Sequence, residues 1–382
     1  MGFKRVWLSI LLLSLLAGQA CAETVVKIGY LAGLTGDLAA YGQAEVNGAK
    51  LAVEEINAKG LIPGVKVELV PYDFRSKPED AVIAVRKMIE QDKVVAIVGA
   101  NVSAANIATA PLVNKAGVIQ IGTATTNPLV TVDEKGQTRP YSFRMAFIDP
   151  YQGKVIAHYL FKKLGVKRAA VLYDVASDYS QGLRQFFTEE FKKLGGEVVA
   201  DLGFRGGVDV DFRAQLTEIA KANPQAVMLP NIGKDLALAV KQARELGMKD
   251  TIFMGGDGYG EFMWEIAGPA LEGTYWVTHV AFDDPEIQPL FARYREVFKD
   301  EPKEYGNIVL AYDAVMLLAQ AMKEAGSTEP AKIKEAMEKG TFKLLHATIK
   351  FDEQHNPKDK DAVIILCKDG AGRFHERFRP VD

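Results

Sequence analysis

Cysteine is nearly absent from this chain, which has only Cys21 and Cys367 among its 382 residues. Cys21 lies in a short N-terminal leader, so removal of that leader would leave Cys367 alone. A single cysteine cannot form an intramolecular disulfide bond. The sequence therefore excludes a disulfide-stapled domain, and at this length it predicts two domains that each bury a core of their own.

Metal-binding and catalytic motifs are missing as well. The five histidines show no ligand spacing such as H-E-x-x-H, and neither G-x-S-x-G nor G-x-x-x-x-G-K-[ST] occurs. The glycine-rich run at residues 256–260 imitates part of a dinucleotide fingerprint, but it lacks the third glycine at the required offset. The sequence thus predicts no metal, no cofactor and no enzymatic activity; an enzyme is the alternative that a turnover assay would reveal.

Neither excess positive charge nor a long apolar run is present. The formal net charge is −3, and the loss of Lys4 and Arg5 with the leader would bring it to −5. Such a surface does not attract phosphate backbones, so nucleic acid is not an expected partner. The apolar run at residues 310–322 is interrupted by Asp313 and is shorter than a membrane span, which favours an amphipathic helix.

The leader at residues 1–22 has the form of an export signal. Two basic residues precede an apolar stretch, and the segment ends in the A-x-A motif that a signal peptidase cuts. Cleavage after Ala22 would release a periplasmic chain that begins at Glu23. Lipidation of Cys21 is the alternative, and it is disfavoured because Gly18 stands where lipoproteins usually have leucine.

Short apolar strands alternate with amphipathic helices over most of the chain. In the first helix, from about Tyr41 to Gly60, buried positions recur at spacings of three and four. This alternation predicts right-handed crossovers and two parallel sheets. After Thr278 the pattern is mainly helical, and a last strand is expected to return to an earlier domain. The predicted strands are residues 25–30, 65–72, 94–98, 118–121, 169–173, 197–200, 226–229, 251–254 and 362–367.

Three predicted turns at the carboxyl ends of strands carry groups suited to a zwitterion. Ser103 follows one strand and either caps the next helix or leaves free N–H groups for an anion. The threonine-rich turn at residues 122–128 is either a plain turn or a carboxylate site. Asp257, between glycines, is either a turn residue or the partner of an ammonium group.

Four aromatic residues are weaker candidates for the same site. Tyr41 and Tyr179 are each predicted in a loop between a strand and a helix, where packing or surface roles are the more frequent alternatives. Trp264 and Trp276 lie near Asp257 in the sequence and could wall a pocket, although core packing is favoured for both.

Taken together, these segments resemble the leucine/isoleucine/valine-binding family of periplasmic binding proteins, the solute-capturing components of ABC importers. No single motif is unique to that family, but their order and spacing are specific and run over nearly the whole mature chain. The segments that carry the resemblance are residues 26–36, 41–60, 72–73, 124–128, 179–183, 242–244 and 253–258.

The resemblance implies an α/β fold of two Rossmann-like lobes with parallel sheets, three hinge crossovers and a ligand cleft between the lobes. The N-terminal lobe would comprise residues 23–147 and 279–351, and the C-terminal lobe residues 148–278 and 352–382. The crossovers would fall near residues 148–149, 276–278 and 351–361.

The resemblance also implies how the ligand is held. Ser103, Ala124 and Thr126 would receive the α-carboxylate of an amino acid. Asp257 would pair with its α-ammonium group. The predicted function is capture of a branched-chain or other apolar amino acid by a monomer and its delivery to an ABC permease. Open alternatives are a carrier for another small carboxylate, aromatic acid or amide, and a sensory ligand-binding domain.

Two departures from the family pattern accompany this resemblance. Tyr41 and Tyr179 would line the region around the ligand side chain, but a tyrosine that covers the ligand in close relatives corresponds here to Ile232. The sequence therefore does not fix which amino acid binds. Ser76 and Val102 stand where family members often carry a disulfide of the first lobe.

Overall fold

Two α/β lobes make up the protein in the computed structural model, which describes residues 23–358 and 360–380. The predicted signal peptide lies outside these residues. A five-stranded sheet in the order β2-β1-β3-β4-β5 is at the centre of the first lobe, and all its neighbouring strands are parallel. Its strands are β1 (Thr24–Ala32), β2 (Val65–Asp73), β3 (Ala96–Gly99), β4 (Ile119–Gly122) and β5 (Ser142–Arg144).

The inner strands of this sheet are buried along their whole length. Every residue of β3 and β4 is buried, as expected for strands of a parallel sheet that helices cover on both faces. Gly60 ends the first helix with a φ of 57°, a left-handed conformation that favours glycine. The helices that alternate with these strands are α1 (Ala39–Lys59), α2 (Pro78–Lys87) and α3 (Ser103–Ala116).

The second lobe contains a seven-stranded sheet in the order β14-β13-β10-β9-β8-β6-β7. Its five earlier strands are mutually parallel, whereas β13 pairs antiparallel with both of its neighbours. The strands are β6 (Arg168–Asp174), β7 (Glu197–Phe204), β8 (Ala226–Leu229), β9 (Ile252–Gly255), β10 (Tyr275–Thr278), β13 (Ala362–Lys368) and β14 (Ala371–Phe378), and the helices are α4 (Asp149–His158), α5 (Asp178–Lys193), α6 (Arg213–Lys221), α7 (Gly233–Glu245) and α8 (Met263–Ala267).

After β10 the chain returns to the first lobe. Leu310 and Leu317 of the long helix α10 (Tyr305–Ala325) join the same hydrophobic cluster as Ile28 and Ile121 of the first sheet. Helix α10 is long and apolar enough to cross a membrane, but most of it is buried within the lobe, as in the core helix of a globular protein. The returning elements are α9 (Gln288–Phe298), α10 (Tyr305–Ala325), α11 (Pro330–Lys339), β11 (Phe342–Lys343) and β12 (Thr348–Ile349).

Three connections between the lobes lie side by side. The first follows β5, the second follows β10, and the third leads from β12 to β13. Residues 276–278, near which a crossover was predicted, belong to β10, and the second connection follows them. Lys360 of the third connection donates from Nζ to the carbonyl of Met145 in the first, at 2.9 Å. The predicted limits of the two lobes at residues 147, 278 and 351 stay a prediction.

Candidate functional site

A cavity of about 370 Å³ lies between the two lobes at the carboxyl ends of their strands. Open α/β sheets usually bind their ligands in this place. The first lobe contributes the segments after β3 and β4 and the first turns of α1 and α10. The second lobe contributes the segments that follow β6, β8 and β9. The lining residues are Tyr41, Asn101, Val102, Ser103, Ala124, Tyr179, Ile232, Asp257, Gly258 and Asn307.

Ser103 is the first residue of α3 and does not cap it. The capping position is Val102, whose side chain makes no capping hydrogen bond. The Ser103 hydroxyl instead accepts a hydrogen bond from the backbone N–H of Asn127 at 3.3 Å. Its own proton is therefore available to an acceptor in the cavity, at the positive end of a helix dipole.

Arg144 holds the threonine-rich turn from behind. Its Nη1 donates to the carbonyl of Thr125 at 2.8 Å, and its Nη2 donates to that of Asn127 at 2.8 Å. Because the C=O and N–H of a trans peptide point in opposite directions, the N–H of Thr126 is aimed away from the guanidinium. Burial lowers the pKa of Arg144 to about 10, so its positive charge persists at neutral pH behind the turn.

The two predicted residues of this turn differ in position. Ala124 lines the cavity, whereas Thr126 is buried beside it and is not among the lining residues. The Thr126 hydroxyl has no hydrogen-bond partner among the described residues, and its carbonyl accepts from the N–H of Asp149 at 2.8 Å. Thr126 can therefore contribute its backbone N–H to the cleft, but its side chain does not line the cavity.

Asp257 presents a buried carboxylate held at both oxygens. Gln152 Nε2 donates to Oδ1 at 2.9 Å, and His279 Nε2 lies 2.8 Å from Oδ2. Burial by itself would raise the pKa of Asp257, but the bonds from His279 and Gln152 outweigh it and keep the pKa below its ordinary value. A negative charge therefore faces the cavity at neutral pH.

Both predicted tyrosines line the cavity from the first turn of a helix rather than from a loop. Tyr41, in α1, donates from its hydroxyl to the carbonyl of Gly258 at 2.7 Å and meets Phe262 edge to face at 5.3 Å. Tyr179, in α5, has a buried hydroxyl that makes no hydrogen bond of good geometry among the described residues, although burial and the nearby Asp257 carboxylate raise the pKa of the phenol. Because Tyr41 belongs to the first lobe and Gly258 to the second, the first contact ties the lobes together.

Further contacts cross the cleft beside Tyr41. Asn127 Nδ2 donates to the carbonyl of Asp178 at 2.8 Å. Lys303 and Glu265 form an ion pair at 2.9 Å between exposed side chains. The lobes are therefore closed on one another around the cavity.

Some site residues were not singled out from the sequence. Asn307, in the first turn of α10, lines the cavity and donates from Nδ2 to Glu45 at 3.3 Å. Gln152 and His279 reach Asp257 from separate segments. Their only sequence signal is a position near a predicted lobe crossover, and that signal does not identify a partner.

Neither candidate tryptophan walls the cavity. Trp276 is fully buried in β10 within the core of the second lobe, and Trp264 donates from its indole to the Tyr259 hydroxyl at 2.9 Å. Core packing is thus the observed role of Trp276. Within the part of the chain that the structure describes, no group of three or more His, Cys, Asp or Glu side chains could hold a metal ion.

Comparison with known proteins identifies the family that has this architecture. Residues 25–371 match the family described as Periplasmic binding protein. The chain belongs to that family. An amino acid binding protein of Pseudomonas aeruginosa is 30% identical over 379 residues, which cover 98% of each chain. Periplasmic binding proteins of this kind are solute-binding proteins of the extracytoplasmic space.

Two solved structures of the family are close in fold. A leucine binding protein from Thermotoga maritima matches with a TM-score of 0.85 and 36% identity, covering 93% of this chain and 99% of that chain. A branched-chain amino acid transporter substrate binding protein from Streptococcus pneumoniae, in complex with isoleucine, matches with a TM-score of 0.85 and 34% identity, covering 94% and 100%. The resemblance to the leucine/isoleucine/valine-binding family is thereby confirmed.

Proposed function

We propose that this periplasmic binding protein captures a branched-chain or other apolar amino acid and delivers it to an ABC permease. The observation that carries the proposal is the cavity between the lobes, where the single ionised carboxylate of Asp257 faces a helix start and a turn with free donors. Binding of isoleucine by one relative and of leucine by another supports the same class of ligand.

The two ends of an amino acid fit the two sides of this cavity. The α-carboxylate would accept from the Ser103 hydroxyl and from amides near Ala124 and Thr126, with the Arg144 charge behind them. The α-ammonium group would pair with Asp257 through a charge-assisted hydrogen bond. Buried charges must be paired in this way, because an unpaired one would cost several kcal/mol.

Apart from the amides of Asn101 and Asn307, the rest of the cavity is lined mainly by apolar groups. Val102 and Ile232 present aliphatic surface, and the rings of Tyr41 and Tyr179 add aromatic surface. The volume of about 370 Å³, which includes the open mouth of the cleft, leaves room only for a small molecule. The cavity therefore favours a ligand of amino-acid size with an apolar side chain.

Transport would follow from lobe closure. A ligand that touches both lobes binds the closed form better than the open form, and it shifts the balance by that difference in affinity. The three connections would absorb the rotation as hinges. The permease could then distinguish loaded from empty protein. In this proposal the protein is exported, cleaved after Ala22, acts as a monomer and catalyses no reaction.

The test is calorimetry with the mature chain, residues 23–382, against the free amino acids and a panel of small carboxylates, aromatic acids and amides. Leucine, isoleucine or valine should bind with a dissociation constant far below that of any compound without an α-amino group. Tight binding of an aromatic acid or an amide, with no binding of any amino acid, would overturn the proposal.

A further inference from the structure

His279 is a buried side chain at the start of the second connection, immediately after β10. Its Nε2 lies 2.8 Å from Asp257 Oδ2, and both side chains are almost completely buried. His279 is not among the residues that line the cavity of Tyr41 and Ser103; it lines an adjoining cavity of about 350 Å³, which shares Ala124, Asp257 and Asn307 with the first. Its contact with the site passes through Asp257.

The protonation state of His279 follows from its surroundings. Burial, and then the nearby Lys360 cation, lower the pKa of His279 to about 4, against the opposing effect of Asp257. The imidazole is therefore neutral at neutral pH. An ionised carboxylate can only accept, so the single ring proton is on Nε2 and points at Asp257.

The ring is also held from the side of the hinges. Phe147, in the first connection, packs on the imidazole with ring centroids 3.9 Å apart. Nδ1 has no hydrogen-bond partner among the described residues, so the bond to Asp257 is the one that orients the ring. The polar and charged groups that face this pair from other elements are Gln152, Asp149, Tyr179, Tyr41, Lys360 and His346.

We propose that His279 is a positioning residue, which fixes the carboxylate of Asp257 as an oriented, ionised acceptor and thereby selects α-amino acids over the corresponding 2-oxo acids. The inference rests on the proposed function. Gln152 holds the other oxygen, so the two donors together leave the remaining lone pairs of the carboxylate for the ligand ammonium. A 2-oxo acid has no donor to offer there.

The test measures leucine and 4-methyl-2-oxopentanoate by calorimetry at several values between pH 5 and pH 8. His279→Ala should weaken leucine binding about tenfold at pH 7, as expected for loss of one charge-assisted hydrogen bond. The affinity for the 2-oxo acid should change less than twofold. Without His279, burial raises the pKa of Asp257. The loss of leucine affinity in His279→Ala should therefore be larger at pH 5 than at pH 8.

Conservative variants distinguish the loss of the hydrogen bond to Asp257 from the loss of side-chain volume. His279→Gln can place an amide donor near the position of Nε2 and should restore most of the leucine affinity. His279→Asn is polar but too short to reach Asp257, so it should behave like His279→Ala. If the alanine variant does not fold, the contrast between the Gln and Asn variants decides the question.

A matched control is available in the second lobe. His158 Nε2 lies 2.9 Å from Glu190 Oε1, another buried histidine paired with a carboxylate, but neither residue lines the cavity. His158→Ala should lower the melting temperature and leave the ratio of leucine to 2-oxo acid affinity unchanged. An equal loss for both ligands in His279→Ala, or an unmoved pH profile, would overturn the inference. Failure of the wild type to bind any amino acid would instead overturn the proposed function.

Discussion

At the scale of single residues, the site depends on a carboxylate that stays ionised although it is buried. Desolvation disfavours the charged form, and hydrogen bonds to that form oppose it. Asp257 receives two such bonds, whereas Glu304, also buried near the cleft, has its pKa raised by burial to about 8. The difference in hydrogen bonding marks Asp257 as the negative charge available at neutral pH.

Removing this charge should abolish tight binding. Asp257→Asn keeps the shape of the side chain but leaves the ligand ammonium unpaired, which costs roughly 3 kcal/mol or more, so leucine affinity should fall at least about a hundredfold. Calorimetry at pH 7 measures the change. Asp211→Asn, an exposed carboxylate of the second lobe, is the control and should bind as the wild type does. Unchanged affinity in Asp257→Asn would refute the assignment.

Ile232 should set part of the side-chain preference. It lines the cavity at the position where the family resemblance implies a tyrosine, and Ile232→Tyr would fill part of a small space. Alanine or valine should then gain on leucine in the order of affinities, while Ile232→Leu should preserve the order. A thermal-shift assay with the free amino acids measures this order, since ligands that bind only the native state raise its stability. The same order in all three proteins would count against the role of Ile232.

The sequence predicts the ends of strands better than it predicts the partners of side chains. Five of the six predicted residues line the cavity, because parallel strands bring their carboxyl ends to one edge. Gln152 meets Asp257 across 105 residues, and Asn307 arrives from a helix of the returning segment. No local pattern encodes such contacts, since they depend on how the lobes are joined.

At the scale of elements, hydrogen bonds hold the loop that leads to Tyr41. Ser76, at a position where the family resemblance implies a disulfide, accepts from the N–H of Leu38 at 3.1 Å and donates to the carbonyl of Thr35 at 2.8 Å. Asp73 accepts from the Thr35 hydroxyl at 2.7 Å. The segment between β1 and α1 is thus fixed to the end of β2 without a covalent bond.

Glu45 joins three elements beside the cavity. It lies on α1, accepts from the Thr123 hydroxyl at 2.6 Å after β4, and accepts from Asn307 on α10. Burial raises its pKa to about 7 from an ordinary value of 4.5. The folded protein therefore binds an extra proton between these values, and the stability linked to it is present below pH 4.5 and lost as the pH rises through 7.

Glu45→Gln should remove this pH dependence. Relative to the variant, the wild type should lose about 3 kcal/mol of unfolding free energy between pH 5 and pH 9, because each unit of pKa shift corresponds to about 1.4 kcal/mol. Urea denaturation at the two pH values measures the difference. Glu54→Gln, an exposed carboxyl on the same helix, should follow the wild type. An equal pH response in all three proteins would contradict the assignment.

Short strands and an edge strand are the elements that the sequence does not predict, namely β5, β10, β11, β12 and β14. The strand β14 alternates exposed and partly buried residues at the edge of the sheet, and β10 was interpreted as part of a crossover. The strand β14 pairs with β13, whereas β10 pairs with β13 on one side and parallel with β9 on the other, and all of these pairings are long-range features. The prediction of two lobes with parallel sheets is confirmed, and the second sheet adds the antiparallel strands β13 and β14 at one edge.

At the scale of the whole molecule, the repetition of strand and helix predicted the two-lobed architecture. The closed arrangement of the lobes, in contrast, has no local pattern in the sequence that predicts it. The lobes meet through Tyr41 and Gly258, and the three connections are bound to one another by Lys360 and by the packing of Phe147 on His279. One histidine next to the hinges thus holds the charge that faces the ligand, which links the geometry of the site to the hinge region.

The most direct test of the central claim is a crystal structure of the mature chain with leucine. We expect a leucine between closed lobes, with its nitrogen about 3 Å from the Asp257 carboxylate and its carboxylate at the Ser103 hydroxyl and the amide of Thr126. A leucine bound elsewhere, or one in this cavity with its ammonium group away from Asp257, would contradict it.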